Sequence, residues 1–289
     1  MSPLSPEEAL ATAPAGRVPV TGYPKWEGQL SRSPRVWSIA VNEVRRAYND
    51  QWARAALILA FGWAVVTVGQ LYALSQSRAN VHTMEQYLDF LDLIRWAALG
   101  VAAVMAGVAL LEDDKRGALE LYLSRSVTRW SYLGGKVLAV LGMTFLTIFG
   151  PALIYYLASF LVFETQPEGW PYAILGAAGY SAIWAIVVSG VGLGIGCLLR
   201  STRAASLLLF AGFAGVGILI DLLLSGITRS DMVRVVSPMA SLDQQRTWLF
   251  NMEAPLAFPW WWGAILLAGL AIAGWSLVWL RHPRLKGVE

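Results

Sequence analysis

The sequence predicts an all-α, polytopic membrane protein with six transmembrane helices. It also predicts an N-terminal amphipathic interfacial helix before the first span and a short cytosolic helix between spans two and three. Three observations carry this. Of 289 residues, 56% are hydrophobic and only 14% charged, with a mean hydropathy of +0.53, whereas soluble domains carry about 25% charged residues. The apolar residues gather in runs near the length a bilayer demands, about 20 residues each. The basic residues fall unequally on alternate loops, as the positive-inside bias requires.

Residues 1–35 hold six of the 13 prolines and no apolar run that could be a signal-peptide core. They are expected to be a disordered or loosely attached cytosolic tail. Residues 36–54 read as the interfacial helix. Trp37, Ala40, Val41, Val44 and Tyr48 recur with a 3.6-residue period, and Asn42, Glu43, Arg45 and Arg46 occupy the rest of the wheel. Such a helix suits the bilayer surface, with its basic residues toward head groups. A cytosolic extension of the first span is the other reading.

The spans follow at about 55–77, 93–111, 137–163, 171–199, 204–225 and 257–280. The apolar part of the second is Trp96 to Leu111, and Arg95 is expected to snorkel outward so that the helix can begin earlier. Gly150-Pro151 is a site for a kink in the third. The fourth is the longest uncharged run. The fifth is interrupted only by Asp221, and the sixth opens on Pro255, Pro259 and Trp260 to Trp262. Trp52, Trp96, Trp170 and Trp279 lie near span ends, as an aromatic belt predicts. Residues 55–281 thus form the transmembrane domain and 282–289 a cytosolic tail. Before span one, between spans two and three, between four and five, and after six lie 17 of the 22 Lys and Arg residues. Both termini are therefore expected in the cytoplasm, with the chain multi-pass in the cell (inner) membrane.

The most informative stretch runs from Leu111 to Lys136. It carries five basic and four acidic side chains between two apolar segments. Leu119, Tyr122 and Leu123, at spacing i, i+3, i+4, share one face of a short helix. Gly117 permits a bend where the chain leaves the membrane, and Thr128 can cap the helix that re-enters it. An ordinary solvated loop would carry a similar charge pattern.

The stretch Arg116 to Ser124 (Arg-Gly-Ala-Leu-Glu-Leu-Tyr-Leu-Ser), then Val127-Thr128-Arg129 and Leu133-Gly134-Gly135-Lys136, resembles the first cytosolic loop of type-2 ABC transporter permeases. The usual form there is an acidic residue, then G-T-L-E-L-L-L-S-x-P-x-S-R, then G-K. Ala118 stands where Thr is common and Ser126 where Pro is common. The six-span layout and the nitrous-oxide-reductase maturation permease group within that family look similar too. The resemblance implies a permease subunit that couples ATP hydrolysis on a separate ATPase to export of a substrate or to transmission of a conformational change. Its cytosolic coupling helix would dock that ATPase through Glu112, Arg116, Gly117, Leu119, Glu120, Leu121, Leu123 and Ser124, with Arg129 and Lys136 securing the loop against head groups or the partner. Trp37, Val41, Val44, Arg45, Arg46 and Tyr48 of the interfacial helix would pass movement to span one. The implied partners are two cytosolic ABC ATPase subunits, which hold the ATP and Mg, and a second permease subunit, with a homodimer favoured.

Several chemistries have no residues to carry them. Gly134-Gly135-Lys136 lacks the upstream glycine and the following Ser or Thr of a phosphate-binding loop, so the chain is not expected to be an ATPase or to hold a cofactor itself. No HExxH or Cys/His metal spacing occurs, and Cys197 reads as a small buried hydrophobe. A net charge of +3 gives no nucleic-acid footprint. Asp221, the clearest carboxylate inside an apolar run, marks either the membrane interface or the outer mouth of a pathway. Gly190, Gly192, Gly194 and Gly196 form two overlapping GxxxG pairs, suited to close helix packing. The stretch 226–253 offers room for an extracytoplasmic partner. The rival classes are an ATP-independent secondary transporter or channel, disfavoured because spans one, three, four and six lack charges, and a membrane scaffold anchoring a cytosolic complex.

Overall fold

The computed structural model describes residues 35–76, 83–115, 129–163, 166–167, 169–199, 201–220, 231–252 and 258–280, all within the unit Pro34–Glu289. The segments 1–34, 116–128 and 281–289, and Asp221, lie outside the described residues.

Helix α1 spans Arg35–Asn49 and α2 spans Gln51–Ser75. The break between them is a single residue. Asp50 takes an extended backbone, and its carboxylate accepts hydrogen bonds from the N–H groups of Trp52 and Ala53 at 2.9 and 3.1 Å. An Asp at this position satisfies donors that the start of α2 cannot pair internally. The expected helix of 36–54 therefore ends five residues early, at a cap that pure periodicity does not weigh.

Helix α3 (Met84–Lys115) is the longest departure from expectation at its first end. It starts nine residues before position 93, with Thr83 and Gln86 bonded reciprocally through side chain and backbone at 3.3 and 3.4 Å. This is a capping box, and it carries Asp89, Asp92 and Arg95 into the helix. Helix α4 (Arg129–Val162) runs through Pro151 without a break in its assignment. Helix α5 (Trp170–Leu198) opens on Gly169 at φ +79°, followed by Pro171 in the first turn. Gly169 adopts a backbone that side chains disfavour, and Pro171 is preset for the first helical turn.

Helix α6 (Thr202–Phe210) is capped by Ser201, continues through a π-helical turn at Ala211–Gly215 and ends in Val216–Leu219. Helix α7 (Pro238–Leu249) follows a 3-10 turn at Asp231–Val236 and is capped by Ser237 with Pro at its first position. Helix α8 spans Trp260–Leu280. Five helices, α2, α3, α4, α5 and α8, are long and apolar enough to cross a membrane. The expected fifth span of 204–225 is a shorter apolar helix interrupted by the π turn, with its last part outside the described residues.

The chain is therefore an all-helical, multi-pass membrane protein. Helices α3, α4 and α5 pack on one another, α8 packs on α5, α2 on α3 and α4, and α6 on α3. The core has two parts. Toward the end bearing α7 it is aromatic: Tyr87 lies 5.1 Å from both Tyr155 and Trp170 and 5.9 Å from Phe250, ring centre to ring centre. Toward the end bearing α1, here called the base, it is built of Ala40, Ala47, Val101, Met105, Ala139, Val140 and Val278. Helix α2 buries only Ala53, Ala60, Ala64 and Leu71 and turns Ile58, Leu59, Val65 and Tyr72 outward. An apolar helix exposed on most of its circumference suits lipid or another helix.

Helix α7 is anchored on the far end by polar groups. Gln244 and Gln245 donate to the carbonyls of Phe258 and Trp260 at 2.8 and 2.6 Å. Arg246 donates to the Leu88 carbonyl at 2.9 Å and pairs with Asp92, while Arg95 pairs with Asp243 and sits 3.2 Å from Asp92. Arg95 thus turns inward to a partner 148 residues away, where the sequence suggested outward snorkelling. Burial pushes the Asp243 carboxyl above the usual carboxylate range, and the Arg95 guanidinium works against that rise. Asp243→Asn is expected to weaken the clasp by about 1.5–3 kcal/mol, the usual contribution of a hydrogen bond to a charged group. Hydrogen exchange would check it: the amides of 238–249 should lose protection before those of α5, and uniform loss across both helices would refute it.

Candidate functional site

The base of the bundle carries the described residues that flank 116–128. Three elements meet there: α1, the last turns of α3 and the first turns of α4. The inward stripe of α4 reads Tyr132, Lys136, Ala139, Val140 and Met143, at helical spacing, and every member is buried. Lys136 is 1% exposed. Its ammonium donates to Glu43 Oε1 at 2.7 Å and to the carbonyl of Ala109, and it lies 5.2 Å from the centre of the Tyr132 ring. One side chain thereby ties α1 to α3 and α4, on either side of the loop. Glu43 is 5% exposed and sits between buried Ala40 and Ala47 on the inward face of α1, with Arg46 at 3.8 Å.

Glycine makes this approach possible. A Cβ on Gly135 would lie 2.7 Å from Ile39 side-chain atoms and 2.9 Å from the Val36 carbonyl, so α1 rests where α4 has no side chain. In Leu133-Gly134-Gly135-Lys136 the second glycine is therefore a seat for α1, and the lysine is its internal fastening. Burying both charges is tolerable because each has a charged partner and Lys136 has a carbonyl besides.

The sequence-predicted residues fall as follows. Glu112 lies on the last turn of α3 and Arg129 is the first residue of α4. Arg116, Gly117, Leu119, Glu120, Leu121, Leu123 and Ser124 lie outside the described residues, as does Asp221. Lys136, expected to face head groups or a partner, faces inward. On α1, Trp37 and Tyr48 are 57% and 59% exposed. Arg45 is also exposed, and Val41, Val44 and Arg46 are half-buried. The inward face of α1 is instead Ala40, Glu43 and Ala47. Glu43, which the helical wheel sets on the polar side, is buried against Lys136. The signal that finds it is its place, three residues after Ala40 and four before Ala47.

The four glycines of α5 serve two helices. Added Cβ atoms on Gly192 and Gly196 would lie 2.8 Å from the Ala106 Cβ and the Ala106 carbonyl of α3, whereas those on Gly190 and Gly194 would meet Trp275 Nε1 and Gly274 Cα of α8 at 2.7 and 2.8 Å. Both pairs pack inside this chain. Among the described residues, no group of His, Cys, Asp and Glu could hold a metal ion.

An all-helical bundle with five membrane-length apolar helices defines a multi-pass membrane protein. The chain belongs to the ABC-2 family of transporter proteins, whose family model matches residues 37–249, from α1 to the end of α7. Membership makes it an ABC transporter permease, a membrane component that is generally not itself catalytic, and implies a bilayer and a separate ATPase around it. No curated protein matches the chain.

Proposed function

We propose that this chain is the membrane subunit of an ATP-driven exporter, with six spans, both termini in the cytoplasm of the inner membrane, and the base of the bundle facing the ATPase. The single observation that carries the reading is the Glu43–Lys136–Ala109 junction: it joins α1 to both stems of the loop 116–128. In this reading Leu119, Glu120 and Leu123, with Glu112, Arg116, Gly117, Leu121 and Ser124 around them, dock on the ATPase. Two such ATPases hold ATP and Mg and press on two paired permeases. Arg129 sits at the exit of the loop. Lys136 fastens the stem from within, so that force applied to the loop reaches α1. Asp221, if the fifth span completes as expected, marks the outer mouth. The cargo is apolar or amphiphilic, since the spans offer few polar groups to a hydrated solute.

The test is reconstitution of the purified chain with the ATPase that co-purifies from native membranes. Glu120→Ala combined with Leu123→Ala is expected to abolish permease-stimulated ATP hydrolysis, at least a tenfold loss, about 1.4 kcal/mol of coupling or more. The melting temperature of the permease should stay unchanged, because both residues lie outside the spans. Full stimulation by the double variant, or purification of the chain with no ATPase, would sink the reading.

A further inference from the structure

We propose that the cleft between α2, α3 and α4 binds a lipophilic organic cation, an ammonium or phosphonium compound carrying one positive charge. The cleft has a volume of about 430 Å3, within the ~300–1,000 Å3 of small-molecule sites. Three aromatic rings from three different helices line it, Trp63 from α2, Phe90 from α3 and Tyr155 from α4, alongside Leu71, Leu74 and Leu93. Phe90 and Tyr155 are buried, with ring centres 4.8 Å apart, and form a fixed floor. Asp89 supplies a carboxylate at the same cleft, and the amides of Gln70 and Gln86 add hydrogen-bonding groups. Among the described residues, no Lys, Arg or His lines it.

This is a combination with one electrostatic preference. Aromatic faces present negative charge to a cation, and a soft organic cation is the ligand that several rings around a carboxylate stabilise best. Asp89 makes no ion pair among the described residues, whereas Asp92, one turn further along α3, is engaged by Arg95 and Arg246. Asp89 is exposed and stands beside apolar walls, so the cleft favours a counter-charge that can itself leave water cheaply to rest on them. Delocalised or alkyl-shielded cations do so; sodium or a primary amine does not. An anionic amphiphile would meet Asp89 with no basic group among the described lining residues to offset the repulsion.

The inference deepens the export reading, but it is tested on the full chain alone, in maltoside micelles, without ATPase or nucleotide. Absence of binding would therefore remove the cleft assignment and leave the permease reading to its own experiment. The probe is tritiated tetraphenylphosphonium, and the control is tetraphenylborate, which has the same shape and the opposite charge. Saturable binding at one site per chain is expected, and tetraphenylborate should fail to displace the probe. Asp89→Asn should weaken binding about tenfold or more, and Trp63→Leu several-fold, each with an unchanged melting temperature. Wild-type affinity in Asp89→Asn, equal displacement by tetraphenylborate, or no saturable binding would overturn the proposal. If Asp89→Asn fails to fold, Trp63→Leu decides: unchanged affinity there overturns it as well.

Discussion

Lys136→Met is expected to destabilise the bundle by about 3 kcal/mol, the lower end of the 3–5 kcal/mol lost when one partner of a buried ion pair is removed. The lower end applies because Arg46, 3.8 Å from Glu43, can take up part of the orphaned charge. The Ala109 carbonyl also loses the Lys136 ammonium as a donor. Adding Glu43→Gln to Lys136→Met should return part of the loss, since the uncompensated carboxylate is then gone. A double-mutant cycle on melting temperatures in a non-ionic detergent reads the coupling directly. Additive effects of the two substitutions would mean that the pair does not hold the base together. Glu43→Gln alone should be the mildest of the three, because Lys136 keeps its carbonyl.

Gly274→Val should be at least as damaging. A Cβ at Gly274 would fall on the backbone carbonyl of Gly190, and backbone cannot swing aside as a long side chain can. The α5–α8 contact must then open along its length, releasing Trp275 from Gly190 as well. The expected loss is about 3 kcal/mol or more, at or above the top of the usual range for overpacking. Gly269→Val on the same helix is the control, since no heavy atom lies within 4 Å of its added Cβ. The first variant should lose monodisperse protein on size exclusion while the second behaves as wild type. Equal tolerance of both would show that α5 and α8 do not rely on this glycine contact.

Both predictions concern residues that a reader of the sequence meets in unequal clarity. The GxxxG spacing on α5 is visible at once, but which helix faces each pair is not, because Gly274 and Ala106 lie 84 and 86 positions from their partners Gly190 and Gly192. The apolar runs reveal the long helices because lipid demands them. Helix ends are less legible: Asp50 and the Thr83–Gln86 box act through local hydrogen bonds that hydropathy does not register. Charges are the hardest. Arg95, Glu43 and Lys136 each look like a boundary or a wet face, since a lone charge beside an apolar run nearly always is one. Their partners lie 148 and 93 residues away. What distinguishes Lys136 is its register, four residues from Tyr132 and four from Val140, both buried on the same stripe of α4.

The one-residue joint at Asp50 has a mechanical meaning. Helix α1 is pinned to the foot of α4 by Gly135 and Lys136, and it passes to α2 with a single extended residue between them. Such a joint leaves no slack, so displacement of the foot must appear as a tilt of α2. With 25 residues at about 1.5 Å rise each, α2 is a lever of roughly 38 Å, and a tilt of about 5° moves its tip by about 3 Å. Trp63 at the middle of that lever, and Gln70 and Leu74 on its outer half, form one wall of the cleft. In the proposed exporter, a small push at one face of the membrane would thereby be magnified into the width of an opening near the other.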